Sequence, residues 1–357
     1  MNIDLIATTI ALLTFFGISA LMALSLNLEY GVAGVPNFGQ VLFVSIGAYT
    51  TGITYTRFLP ILAGQTVLDP CGEALAQAVQ IRSEIMQTLP AVGLVNFVIT
   101  LFISALVGGL VGYAISYIGL RLKQEWFLAL VLLVGGEILR IVVRGYEPIT
   151  CASNGISAVA QPFGWIADAR LSAICFMILV LAFALLAYLY SERLVRSPYG
   201  RLLKAIREND RVALSLGKNV TRVRAQVMLI GSAMAAVAGV LFAVNVGFIS
   251  TNDYVVGLTL DLWVMVVLGG LGNSKGALLG ALLITILNRV TAIAAIQLNM
   301  IGLDLEFNYF RYILLGIILI MVLLYRPKGL LPEPTHTTDA HEALTTQNGS
   351  DQFMNTN

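Results

Sequence analysis

The stretch Leu268-Gly-Gly-Leu-Gly-Asn-Ser-Lys-Gly276 has residue types suited to holding phosphate: glycines, a serine and a lysine. A phosphate-binding loop needs G-x-x-x-x-G-K-[ST], so that successive backbone N–H groups cradle the phosphates and the lysine and hydroxyl follow. Here Lys275 comes after Ser274 and before Gly276, and no register satisfies that pattern. The flanks, DLWVMVV and ALLGALLITIL, are apolar on both sides, which leaves no soluble strand-then-helix unit to present a nucleotide. Other reactive residues are sparse. Cys71, Cys151 and Cys175 have no metal-ligand spacing, and His336 and His341 lie in the polar C-terminal stretch. No nucleophile–base set stands near the glycines, so neither catalysis nor a metal site nor a bound cofactor is expected of this chain.

The elements that must position these residues belong in a bilayer. Hydrophobic residues make up 58% of the 357 and charged residues only 11%, against roughly 25% charged in soluble domains. Mean hydropathy is +0.85. Apolar runs long enough to span a membrane fall near 4–28, 38–57, 90–120, 125–145, 171–190, 225–249, 256–296 and 309–325. The first of these lacks a basic leader and runs on into further apolar sequence, as a retained span does. The expected fold is an all-α polytopic bundle of about 8–10 spans, with glycine-broken helices and an internal repeat. It occupies residues 1–331, and 332–357 read as a disordered polar tail.

Orientation follows from basic residues. Between Ser191 and Arg224 there are nine lysines and arginines against three acids, which places this segment in the cytoplasm. Counting back puts Arg121 and Lys123 on the same side and the loops at 64–88 and 146–169 outside. Cys71 and Cys151 then share the outer side, where a disulfide is permitted, although spacing alone does not establish one. Arg326 and Lys328 favour a cytoplasmic C-terminus. Two cytoplasmic ends require an even number of crossings between 224 and 326, yet three apolar blocks are visible. The block carrying LGGLGNSKG must therefore be split or re-entrant.

Small residues at Gly269, Gly270, Gly272, Gly276 and Gly280 also suit close helix packing, and both uses of the glycines are compatible. An earlier interruption, Tyr30-Gly-Val-Ala-Gly-Val-Pro-Asn-Phe-Gly-Gln40, provides a counterpart in the first half. Paired interruptions of this kind mark transporter pathways. Glu137 and Arg140, three apart on one helix, read either as an internal pair or as residues near a membrane end. Asp261, beside Trp263, is either a functional ionisable group or an interfacial one.

The basic segment SPYGRLLKAIRENDRVALSLGKNVTRVRAQ has more organisation than a connector needs. Leu202, Leu203 and Ile206 recur at helical spacing, Asn209 or Asp210 suits a cap, and Gly217 suits a helix end. These residues fit docking into a partner's groove and equally fit lying on anionic headgroups.

Taken together, GRLLKAIREND…ALSLGKNVTRVR resembles the coupling loop of branched-chain amino acid ABC transporter permeases, at Gly200, Arg201, Ala205, Ile206, Arg207, Glu208, Ala213, Gly217, Asn219 and Val220. LSLNLEYGVAGVPNFGQVLFVSIGAY, EILR with SNGI, VVLGGLGNSKGALLGALL and YRPKGLL resemble further blocks of that family, in order across 20–332. EILR…NGI and RPKGLL favour its LivM-like branch. The resemblance implies an inner-membrane, multi-pass permease subunit of an importer for branched-chain or hydrophobic amino acids. A second homologous permease, two ATPase subunits carrying ATP and Mg, and an extracytoplasmic binding protein would complete it. ATPase coupling would fall to Gly200, Arg201, Ala205, Arg207, Glu208, Ala213 and Gly217, with Arg207 and Glu208 facing partner charges. The translocation pathway would run by the two breaks, at Gly34, Pro36, Asn37 and Gly39 and at Gly269, Gly270, Gly272 and Asn273, whose unsatisfied backbone groups would hold an amino acid's charged ends near the midplane. Urea and short-amide permeases share this framework. A stand-alone secondary transporter, the reading from another class, would need titratable residues deep in the spans, and a membrane enzyme has no catalytic set.

Overall fold

The computed structural model describes residues 4–72, 75–119, 125–146, 151–152, 154–157, 159–299 and 307–333. Helices dominate it. α1 (Leu5–Leu26) starts on Asp4, whose carboxylate accepts the N–H groups of Ile6 and Ala7, and it winds on as a π-helical turn over Asn27–Val32. α2 (Gln40–Ile53) continues through a second π-helical turn, Thr54–Phe58, into Leu59–Leu62. α3 (Leu75–Thr88), α4 (Pro90–Gly119), α5 (Glu125–Gly145) and α6 (Ala169–Arg196) follow. Next come two short helices, α7 (Pro198–Glu208) and α8 (Asp210–Ser215), and then α9 (Val220–Val246), α10 (Val256–Gly269), α11 (Ser274–Asn299) and α12 (Phe307–Tyr325).

Leu5–Val32, Pro90–Gly119, Ala169–Arg196, Val220–Val246 and Ser274–Ala294 are long and apolar enough to cross a membrane, and Val256–Gly269 and Arg311–Tyr325 are shorter apolar helices. The protein is an all-α polytopic membrane protein. The block expected at 256–296 is split into α10 and α11, as the parity of crossings called for.

α9 is the centre of the bundle, and small residues let its neighbours reach it. A Cβ on Gly47 of α2 would sit 2.0 Å from the Ala236 carbonyl, and one on Gly239 of α9 would sit 2.0 Å from the Val44 carbonyl. Gly108 and Gly112 of α4 meet Ser232 and Ala236 of α9 in the same way. With lipid outside, such close backbone approach supplies the packing that water-driven burial supplies in soluble proteins.

The two ends differ. At one, Cys71 and Cys151 are joined by a disulfide across 80 residues. There β1 (Ile156–Ser157) pairs antiparallel with β2 (Phe248–Ile249), and Arg82 of α3 donates to the Ser157 carbonyl at 3.0 Å. The 64–88 loop is therefore largely helical and pinned. Asp4 joins this end through Arg170 at 2.7 Å. The opposite end carries α7, α8 and the segment after α12. Arg121, Lys123, Ser153, His336 and His341 lie outside the described residues, as does the tail beyond Glu333.

Candidate functional site

The site at the basic end begins with a local rule, that each short helix needs a cap. Ser197 accepts the Gly200 N–H at 3.2 Å and Pro198 opens α7. Asn209 accepts the Val212 N–H at 3.2 Å to start α8, Gly217 closes it in the left-handed conformation, and Asn219 starts α9. α7 buries Leu203 and Ile206, and α8 buries Ala213. Gly200 is buried, and a Cβ there would lie 2.2 Å from the Val195 carbonyl. Arg201, Ala205 and Glu208, spaced four and three apart, stay exposed on one face, and so does Gly217. Beside them α8 exposes Val212 and Leu214, and Leu216, which follows it, is 72% exposed. That apolar patch was hidden in sequence within VALSL, where alternation reads equally as core.

Arg207 departs from expectation. Its side chain turns inward and is 26% exposed. One guanidinium nitrogen donates to the Gly31 carbonyl and the other reaches Glu333 Oε2 at 2.7 Å. Its stem covers Gly34, where a Cβ would lie 2.9 Å from Arg207 Cγ. Lys204 Nζ takes the second Glu333 oxygen at 2.7 Å. Burial pushes the Glu333 carboxyl up, but the hydrogen bonds and charges of Lys204 and Arg207 outweigh that and hold it below the ordinary value. Glu333, assigned to the tail by composition, is thus fixed at both oxygens.

The second break is a reversing turn at this same end. α10 and α11 run antiparallel, with Gly269 against the Gly276 carbonyl and Gly280 against the Met265 carbonyl. Gly270 (φ 121°) and Gly272 (φ 79°) hold backbone conformations that an L side chain resists. The turn's polar groups are committed: Leu268 and Gly269 carbonyls accept Leu330 and Leu331 N–H at 3.0 and 2.9 Å. Gly272 N–H donates to Asn27 Oδ1 at 2.9 Å, and Asn273 reaches the Leu331 carbonyl at 3.2 Å. In place of the free midplane groups expected here, the Leu268 and Gly269 carbonyls and the Gly272 N–H are bonded at the basic end by the C-terminal segment and by Asn27.

The first break meets the second. A Cβ on Gly31 would touch the Gly272 nitrogen at 2.5 Å. Higher in the bundle, Trp263 of α10 stacks on Phe38 at 4.5 Å and donates to the Asn37 carbonyl at 3.0 Å. Thr259 accepts the Val41 N–H at 3.0 Å. Pro36, just before these residues in the chain, is half-buried, and Gly39 packs on the Leu132 carbonyl of α5. Around Asn37 runs a fully buried polar network that sequence reasoning missed. Asn37 Nδ2 donates to Glu29 Oε2 and to Gln40 Oε1, both at 2.7 Å. Gln40 donates to Ser25 Oγ, and Ser25 donates to the Gly231 carbonyl, again both at 2.7 Å. The available signal was a single acid, Glu29, set eight residues before Asn37 in an otherwise apolar run. Elsewhere Glu137 and Arg140 pair within α5 at 2.8 Å, and Asp261 faces Arg311 of α12 at 3.6 Å.

One arginine links the exposed α7–α8 element to both breaks and to the C-terminal segment.

Over residues 8–323 the chain matches the family described as the permease component of the branched-chain amino acid transport system. It is 31% identical over 341 residues to a probable branched-chain amino acid transport permease protein LivM of Methanocaldococcus jannaschii, covering 93% of this chain and 95% of that one. It is 27% identical to the high-affinity branched-chain amino acid transport permease LivM of Salmonella typhimurium, covering 87% and 67%. With LivH of Escherichia coli the identity is 26%, covering 88% and 91%. No solved structure matches.

Proposed function

The chain belongs to the branched-chain amino acid transport permease family, and on that premise we propose that it forms half of a translocation pathway driven by ATPase subunits docked on α7–α8. It is a multi-pass membrane permease component of a branched-chain amino acid transport system. The names of its relatives favour branched-chain amino acids over urea or short amides, and similarity to both LivM and LivH supports a second, homologous permease as partner. ATP and Mg belong to the ATPases in this reading, and an extracytoplasmic binding protein delivers substrate. The basic end is cytoplasmic.

The supporting observation is the Arg207 junction. Arg201, Ala205 and Glu208, with the apolar Val212, Leu214 and Leu216, form the docking face, while Gly200, Ala213 and Gly217 shape it. Movement of α7 passes through Arg207 to Gly31 and Gly34, to the turn at Gly269, Gly270, Gly272 and Asn273, and to Glu333. Pro36, Asn37 and Gly39 carry it toward the interior of the pathway. The second break acts here as a hinge, because its backbone groups are already bonded.

The test is leucine uptake in cells expressing the chain with its partners, together with co-purification of the ATPases. Arg207→Lys keeps the charge but loses the fork that serves two acceptors at once. It should leave the ATPases bound while uptake falls roughly tenfold, the equivalent of one charge-assisted hydrogen bond. Leu216→Glu should abolish co-purification. Normal uptake by Arg207→Lys would remove the junction from the mechanism, and urea uptake without leucine uptake would overturn the substrate.

A further inference from the structure

A cavity of about 380 Å³ opens between α1, α10, α11 and α12, within the range of roughly 300–1,000 Å³ typical of small-molecule sites. It lies toward the disulfide-bearing end. α1 starts at that end beside Arg170, and the cavity takes Leu12, Phe15, Ser19 and Met22 from it. Its floor at Met22 is three residues above Ser25 of the buried polar network, about 4.5 Å of helical rise.

Its lining combines features that a purely structural cluster does not require. Asp253 and Asp261 oppose Arg289 and Arg311, so the ionisable acids and bases balance. Asp261 and Arg311 pair at 3.6 Å, and both line the cavity. Thr285 Oγ1, Asn288 Oδ1, Arg289 Nε and Arg311 Nε are all buried with no hydrogen-bond partner among the described residues. At membrane depth a polar group left this way is strongly disfavoured unless water or a ligand satisfies it. The remaining wall is apolar, with Phe15, Met22, Phe242 and Leu258. A lone anion or cation would meet a like charge here. A zwitterion with an apolar side chain meets a partner at each end and a wall for the rest.

We infer that this cavity receives a free branched-chain amino acid as its zwitterion, with the carboxylate on Arg289, Arg311 and Thr285, the ammonium on Asp261 and Asp253, and the side chain against Phe15 and Met22. This assignment rests on the transport reading above and adds a substrate site within one chain.

The probe is diazirine-bearing leucine, photolysed on the full chain in nanodiscs and mapped by mass spectrometry. Label should fall on α1 near Met22 and on α10 near Met265. Leucine should displace it. Isocaproate, which lacks the ammonium, and isoamylamine, which lacks the carboxylate, should need roughly tenfold more, the equivalent of one charge-assisted hydrogen bond. Arg289→Met should cut labelling by the same factor. Thr285→Val, nearly isosteric and so safe for folding, should weaken it several-fold. Label elsewhere, or labelling unchanged in both variants, overturns the assignment, and so does equal competition by the two singly charged analogues. Leucine uptake by wild type, measured in parallel, separates the two levels. Uptake with label elsewhere removes only this cavity, whereas no leucine uptake removes the transport reading and this site with it.

Discussion

Glu333 holds two cations, Lys204 and Arg207, at 2.7 Å each, and its ionisation therefore controls how the C-terminal segment grips α7. Its folded-state pKa is below the ordinary 4.5, so its contribution is complete above that value and is lost as pH falls through the depressed folded value. The melting temperature of wild type minus that of Glu333→Gln should be positive at neutral pH and should vanish under acid conditions. A difference that persists unchanged into acid would rule out the ionised carboxylate as its source. Glu29 poses a different problem, since its carboxyl is wholly buried and receives Asn37 at 2.7 Å. Glu29→Gln preserves the shape and an acceptor and should melt near wild type. Glu29→Ala leaves an Asn37 N–H unmatched and a void beside Gly231, and should cost about 1–3 kcal/mol or more in denaturant unfolding. Equal stability of the two variants would show that the network is dispensable. Sequence made the caps legible, because Asn209 and Gly217 act on their own neighbours. It did not reveal Glu333 or the inward turn of Arg207, since 126 residues separate that pair and no local pattern encodes the meeting.

Helices carry the close approaches that fix the bundle, and Gly280 is the tightest test of them. A Cβ there would lie 1.8 Å from the Met265 carbonyl, so α10 and α11 could not keep their spacing around any larger side chain. Gly280→Leu should lower stability by about 1–3 kcal/mol or more through overpacking and should also pull the turn at Gly270–Gly272 away from Asn27 and Leu331. Thermal unfolding in detergent reads the first effect. An unchanged melting temperature would mean that this contact is not tightly packed in the membrane protein. The small-residue reading of Gly276 and Gly280 and the interruption reading of the same stretch both hold at this scale. Counting crossings demanded a split, and the glycines mark where the chain reverses. What counting did not supply was depth. A turn at the basic end and a break at the midplane leave the same apolar flanks in sequence. Only the pairing of Leu330 and Leu331 with Leu268 and Gly269 distinguishes them. The two π-helical turns likewise follow from tertiary fit and have no local signature.

Across the whole molecule the charge pattern and the covalent pattern assign opposite ends. Nine basic residues gather between Ser191 and Arg224, and the Cys71–Cys151 bond lies at the other end. An oxidising compartment favours the second and the cytoplasm favours the first, so both chemistries support the proposed orientation. Asp4 settles the start of α1 by geometry, since its partner Arg170 stands at the first turn of α6, whose last turn enters the basic segment. Side chains facing outward agree with a bilayer or a second permease around the bundle: Val98, Phe102, Leu106 and Leu110 of α4 form an exposed stripe at four-residue spacing. With Cys175 replaced by serine and the disulfide intact, a cysteine at Gln65 should react with a membrane-impermeant maleimide in intact cells. One at Lys218 should react only after permeabilisation, and a tag ahead of Met1 should be accessible from outside. The reverse pattern would place α7–α8 away from the compartment that holds ATP, and no ATPase could then act through Arg207.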